Sequence, residues 1–267
     1  MALAAASAWE PRLLPVAIAL AAGSLAVYLV RHGRFLRWLD AVEQAIGRGD
    51  LAGAREVAAP LLDRFPDHPL IQKASAGVLY ASGDPLSAAS LYERAAKRLG
   101  DDRDLVVGLV ASYAALNKAG DARRAAELLP EDFDVRLALA WAELVALGGD
   151  RLRGARASER LIEELEVAHG AERTAMANVL VAIAAALRGD AGSVHAALGV
   201  AERQRDALEP PDRAFIGYLG GVALRELGLV EDARATFSSA MDAAPGTIGE
   251  ALARRERSHL PGSSGSS

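Results

Sequence analysis

Residues 69–102 read PLIQKASAGVLYASGDPLSAASLYERAAKRLGDD, and the dipeptide Gly83-Asp84 lies near their centre. Gly takes the left-handed conformation that closes one helix, and Asp accepts from the first free N–H groups of the next, so the dipeptide separates two helices. It recurs at Gly49-Asp50, Gly120-Asp121, Gly149-Asp150 and Gly189-Asp190, with a degenerate copy at Gly228-Leu229. Successive glycines stand 34, 37, 29, 40 and 39 positions apart. That range contains the period of tandem helix-turn-helix units, so the chain is expected to be a helical repeat array.

Composition agrees. The chain has 267 residues, 51% of them apolar and only 5% aromatic, and alanine is abundant. Closely packed Ala and Leu helices suit that composition better than a β-sandwich, and the fold class is read as all-α. Because an array replaces a single core by many neighbour contacts, length alone sets no domain count. There is no cysteine, which excludes disulfides, thiolate metal sites and cysteine nucleophiles. A net charge of −5 and a pI near 5.6 argue against a nucleic-acid surface, which needs a basic field. Of 30 basic residues only Lys73, Lys97 and Lys118 are lysines, which points to a source with GC-rich codons.

Leu13 to Val30 reads LLPVAIALAAGSLAVYLV, eighteen uncharged residues and about 27 Å as a helix. This predicts one transmembrane helix, with Pro15 in its first turn and Trp9 and Tyr28 near the interfaces. A buried core helix is one rival. A cleaved signal peptide is another, through Ala19-Leu20-Ala21, although the apolar run continues nine residues past that point. Arg31, Arg34 and Arg37 follow the span, whereas Arg12 before it is offset by Glu10. The positive-inside rule then places the array in the cytoplasm beneath the inner membrane, with a periplasmic array as the alternative. The chain divides into a flank at 1–12, a span at 13–30, a basic segment at 31–34, an array at 35–245, a capping helix at 246–260 and a disordered Gly/Ser tail at 261–267.

Aligned on the glycines, the copy at 69–102 has Ala76, Gly83, Ala88, Tyr92 and Ala95, and the copy at 214–247 has Gly221, Gly228, Ala233, Phe237, Ala240 and Pro245. The first copy, 35–68, has Trp38, Gly49, Leu51, Ala54 and Pro66. This pattern resembles the tetratricopeptide repeat, which sets small and aromatic residues on two helices, Gly at the turn and Pro at the exit. The resemblance covers about 35–245 and implies a right-handed superhelix of about six repeats, at 35–68, 69–102, 103–133, 134–170, 171–210 and 211–245. Small residues let the paired backbones approach closely, while Tyr92 and Phe237 fill the gap to the next repeat. Helices are predicted at 35–48, 51–64, 69–82, 85–99, 103–119, 122–129, 134–148, 151–168, 171–188, 191–206, 211–227 and 230–243, with a cap near 247–257.

No metalloprotease, phosphate-loop, dinucleotide or nucleophile-elbow motif occurs, so no enzyme, cofactor or metal is expected. His32, His68, His169, His195 and His259 are not spaced as ligands on one helix face. Arg151, Arg153, Arg156 and Arg160 form a basic run that Glu159, Glu163, Glu164 and Glu166 largely cancel. The resemblance implies a concave face that holds a peptide, at Leu36, Leu39, Lys73, Tyr80, Leu139, Ile183, Phe215 and Tyr218. Members that clamp a terminal carboxylate use several Lys, Asn and Arg side chains there, and only Lys73 corresponds. The expected partners are apolar or amphipathic protein segments, bound by a membrane-tethered adaptor. That architecture is similar to bacterial adaptors with one amino-terminal span and a cytoplasmic array, less their cysteine module. A protein aiding secretion or envelope assembly, and a structural homo-oligomer, are the alternatives.

Overall fold

Four helix-turn-helix junctions close by one hydrogen-bond scheme, and a fifth reaches it with a different residue. At Gly49, Gly83, Gly189 and Gly228 the backbone is left-handed, with φ of +76°, +83°, +76° and +89°. The following N–H reaches a carbonyl five residues back: Asp50 to Ala45, Asp84 to Leu79, Asp190 to Ala185 and Leu229 to Leu224, each at 2.9 to 3.0 Å. Those carbonyls would otherwise end the helix unpaired. The aspartates then cap the next helix, Asp50 accepting from Gly53 N–H, Asp84 from Ser87 N–H and Asp190 from Ser193 N–H. Such caps contribute about 1 kcal/mol each.

The computed structural model describes residues 36–146 and 174–261, which form α1 (36–47), α2 (Leu51–Arg64), α3 (Pro69–Ala81), α4 (Pro85–Leu99), α5 (Arg103–Ala115), α6 (Ala119–Ala126), α7 (Phe133–Ala146), α8 (Ala175–Leu187), α9 (Ala191–Arg205), α10 (Pro210–Leu227), α11 (Val230–Ala243) and α12 (Ile248–His259). There is no strand among the described residues. The chain divides into two compact units, Met1–Ala41 and Val42–Ser267, and of the first only the opening residues of α1 are described.

Within the second unit the first helix of each hairpin packs on the first helix of the next, so α3, α5 and α7 form one row and α8, α10 and α12 another. The contact is close where glycine removes a side chain. The Tyr92 ring of α4 lies across Gly108 of α5, between repeats as expected, and a Cβ at Gly108 would overlap it. The Phe237 ring of α11 instead lies across Gly221 of its own repeat. A Cβ at Gly217 would stand 3.0 Å from Ala240 Cβ. Both aromatic rings are buried in the core.

The array also curls back on itself. Gly49 packs beside Pro211 at the start of α10, and Gly83 beside Ala251 of α12. Arg255 of α12 donates to the Ala115 carbonyl at the end of α5, at 2.9 Å. Arg225 of α10 bonds Glu256 of α12, and Gly249 lies against Ala214 and Phe215, so α12 runs parallel to α10. It takes the place of the first helix of a further repeat, while it also bridges the second and third repeats.

Two expectations are corrected. The fold was expected to begin with a transmembrane helix at 13–30, at the inner membrane. No helix among the described residues is long and apolar enough to cross a membrane, and 13–30 lies outside them. The described architecture is the all-α array, and no described helix supports the expected inner-membrane placement. In the third repeat the expected helices 103–119 and 122–129 are Arg103–Ala115 and Ala119–Ala126. The left-handed residue there is Asn117, at φ +57°, and Lys118 N–H reaches Tyr113 O. Asn tolerates that region because its short polar side chain bonds locally. Gly120 instead lies inside α6. The expected helix at 151–168, Gly149-Asp150, the segment 31–34 and most of the tail lie outside the described residues.

Candidate functional site

The parallel first helices of the hairpins surround a cavity of about 620 Å³. Its wall is apolar along the middle of these helices, where Val107, Leu137, Trp141 and Phe215 meet. Their first turns carry the polar residues, because acidic side chains favour helix N-termini. Asp104 of α5, Asp134 of α7 and Asp212 of α10 therefore stand around one rim, with Arg103. The bridge made by α12 to the carboxyl ends of α3 and α5 lies at the other end.

The rim is cross-braced. Lys73 pairs with Asp102 at 2.7 Å and with Asp104 at 3.2 Å, and Arg103 pairs with Asp132 at 2.9 Å and with Asp134. Burial alone would lower the Lys73 pKa, but its bonds to the two carboxylates hold it above the usual lysine value. Burial would raise Asp102, and Lys73 with the Leu105 N–H outweighs it and holds that carboxyl below its usual range. Asp212 has no such partner among the described residues; its side chain still reaches solvent, and partial burial with the Glu209 charge nearby pushes it up. Among the described residues Lys73 and Arg103 thus each bridge two of the carboxylates Asp102, Asp104, Asp132 and Asp134, and Glu209 adds its charge near Asp212.

Polar groups also lie deeper. Tyr92 is 6% exposed and its hydroxyl lies 3.6 Å from where a Gly77 Cβ would stand, beside Gly108; both glycines line the cavity. Tyr80 lines it too, and burial pushes both phenols well above the ordinary tyrosine value. Neither hydroxyl has a hydrogen-bond partner among the described residues. Trp141 Nε1 and Tyr218 Oη are buried close to one another, without a hydrogen bond of good geometry. The Trp141 ring meets Phe215 edge-on at 4.9 Å, and Phe215 meets Tyr218 at 5.8 Å. Burial pushes Tyr218 up to about 12.

Of the residues expected on the concave face, Tyr80 and Phe215 line the cavity and Lys73 braces its rim through Asp104. Tyr218 and Ile183 are fully buried in the core, and Leu139 packs half-buried against it. Leu36 and Leu39 fall in the Met1–Ala41 unit, Leu36 exposed and Leu39 half-buried. Sequence reasoning missed Trp141, Tyr92 and the rim aspartates. The available signal was an acid at the second or third position of α5, α7 and α10, in Arg103-Asp104, Phe133-Asp134 and Pro210-Pro211-Asp212. Among the described residues no group of three or more His, Asp or Glu side chains is placed to hold a metal ion.

No protein-family model matches the chain. A stretch of 101 residues, 38% of the chain, is 33% identical to cellulose synthase operon protein C of Xanthomonas axonopodis pv. citri (strain 306). The stretch spans 7% of that protein's length, so its activity as a whole does not pass to this chain with the match. The distant similarity accords with the all-helical repeat, while the tetratricopeptide assignment rests on the residue pattern.

Proposed function

We propose that the chain is a tetratricopeptide-like scaffold that binds an apolar segment of a partner protein in the cavity enclosed by its hairpins. The observation that carries this reading is the cavity itself: about 620 Å³, walled by apolar side chains contributed by every repeat that lines it. A concave apolar site with few polar groups is the form that ligand and peptide sites take. No catalytic role is assigned to it. The relative's name refers to a cellulose synthase operon, and products of such an operon are a natural first panel of partners.

Ala111 faces the cavity and is half-buried. Ala111→Trp would place an indole in that space. Affinity capture with the full chain should recover a partner with the wild type and lose it with Ala111→Trp, at unchanged helical content. Equal capture by both would overturn the reading.

A further inference from the structure

We propose that the rim of the cavity selects its occupant by charge: the bound protein segment carries a Lys or Arg side chain at the carboxylates, next to the apolar residues that enter the cavity. This rests on the peptide-binding reading and adds what kind of segment is taken.

Charge complementarity is the first argument. Among the described residues Asp104, Asp134 and Asp212 line the cavity with one cation, Arg103. Lys73, the one residue matching the carboxylate-clamping pattern, already lies between Asp102 and Asp104. A terminal carboxylate would therefore meet a field of its own sign. Asp134 is bonded by Arg103, but Asp212 has no cation against it among the described residues. An unpaired carboxylate beside a low-dielectric wall attracts a cation more strongly than one in open water.

The second argument is independent of the acids. The Tyr92 side chain is more than nine-tenths buried, and its hydroxyl stands at the cavity wall without a hydrogen-bond partner among the described residues. A hydroxyl open to a cavity is bonded by whatever fills that cavity, water or a bound group. A hydroxyl can accept from an ammonium or guanidinium, which has donors only, or donate to a backbone carbonyl of an extended segment. Both needs are met by a protein segment with a cation beside apolar side chains. A purely apolar segment leaves the rim carboxylates unanswered.

The test uses the full chain and three synthetic ten-residue peptides, blocked at both ends and alike except at one position. Eight residues are apolar, one is a solubilising Ser, and the variable position is Lys, norleucine or Glu. Binding is read by titration calorimetry at about 0.05 M and 0.5 M salt. The Lys peptide is expected to bind about tenfold more tightly than the norleucine peptide at low salt, with the Glu peptide weakest. The preference should shrink at high salt, as rim electrostatics are screened. Asp212→Asn should reduce the ratio of Lys to norleucine affinity several-fold, and Ser90→Asp, remote from the rim, should leave it unchanged. Equal binding of the Lys and norleucine peptides, or tighter binding of Glu, would overturn the charge selection while leaving the peptide-binding reading standing. No saturable binding by any of the three would overturn both.

Discussion

Gly83 and Asn117 stand 34 residues apart and occupy the same place in successive repeats: both are left-handed, at φ +83° and +57°, and each is followed by an N–H bonded to the carbonyl five residues back. Gly49 stands 34 residues before Gly83. The repeat period is therefore regular through the first three turns, and the Gly120-Asp121 dipeptide is not one of its marks.

That assignment predicts opposite outcomes for three small changes. Asn117→Gly should stabilise the array by up to about 1 kcal/mol, because Gly has no Cβ to strain in the left-handed region. Gly120→Ala should also stabilise, by about 0.5 to 1 kcal/mol, since a helix residue with open space around its Cβ gains from Ala. Gly83→Ala should destabilise by about 1 kcal/mol or more. Urea unfolding midpoints decide it, and a destabilising Gly120→Ala would return the turn to Gly120.

Much of the array was legible because its signals are local. Asp50, Asp84 and Asp190 cap where a Gly-Asp dipeptide says they should, and Ala88 and Ala233 are fully buried at the small positions. The third repeat was misread because Asn117 performs the glycine's task without its name. The cavity was harder to read, since it depends on how far the superhelix curls. Tyr218 and Ile183 share their helix faces with Phe215 and Met176, yet the approach of α12 and neighbouring helices buries them completely. No pattern within one repeat encodes that closure.

Gly108 and Tyr92 form a pair whose energetics are separable. Gly108→Ala should cost about 1 to 3 kcal/mol by driving a methyl into the Tyr92 ring. Tyr92→Leu alone opens space and should also destabilise. The double variant should be less damaged than the sum, with a coupling of about 1 kcal/mol or more, because each change relieves the other. Additive losses would show that the ring does not rest on Gly108.

Closure by α12 rests on Gly249, where a Cβ would stand 2.6 Å from Phe215 N and 2.7 Å from Ala214 C. Backbone cannot yield as a side-chain tip can, so Gly249→Ala should release α12 rather than compress it. Hydrogen exchange should accelerate across 248–259 and spare α4 and α5, as expected when one element opens locally. Uniform acceleration across the array would mean that α12 is integral to its global stability.

The rim aspartates should respond to pH with opposite signs. Asp102 is held below its unfolded value and Lys73 above its own, so their pair contributes fully between about pH 4 and pH 10. That contribution is lost as pH falls through the depressed pKa of Asp102 or rises through the elevated pKa of Lys73. Lys73→Met should therefore cost about 1 kcal/mol at pH 7 and progressively less as Asp102 is protonated. Asp212 runs the other way. Its pKa is raised in the fold, so its contribution favours the folded state below its unfolded value near 4 and is lost as pH rises through the folded value. Asp212→Asn should then stabilise the array at pH 7 and leave it unchanged in acid, as read by urea unfolding at both pH values. A carboxylate that weakens the fold at neutral pH, beside an apolar cavity, is one that a bound cation relieves; a destabilising Asp212→Asn at pH 7 would mean that the fold already supplies that cation.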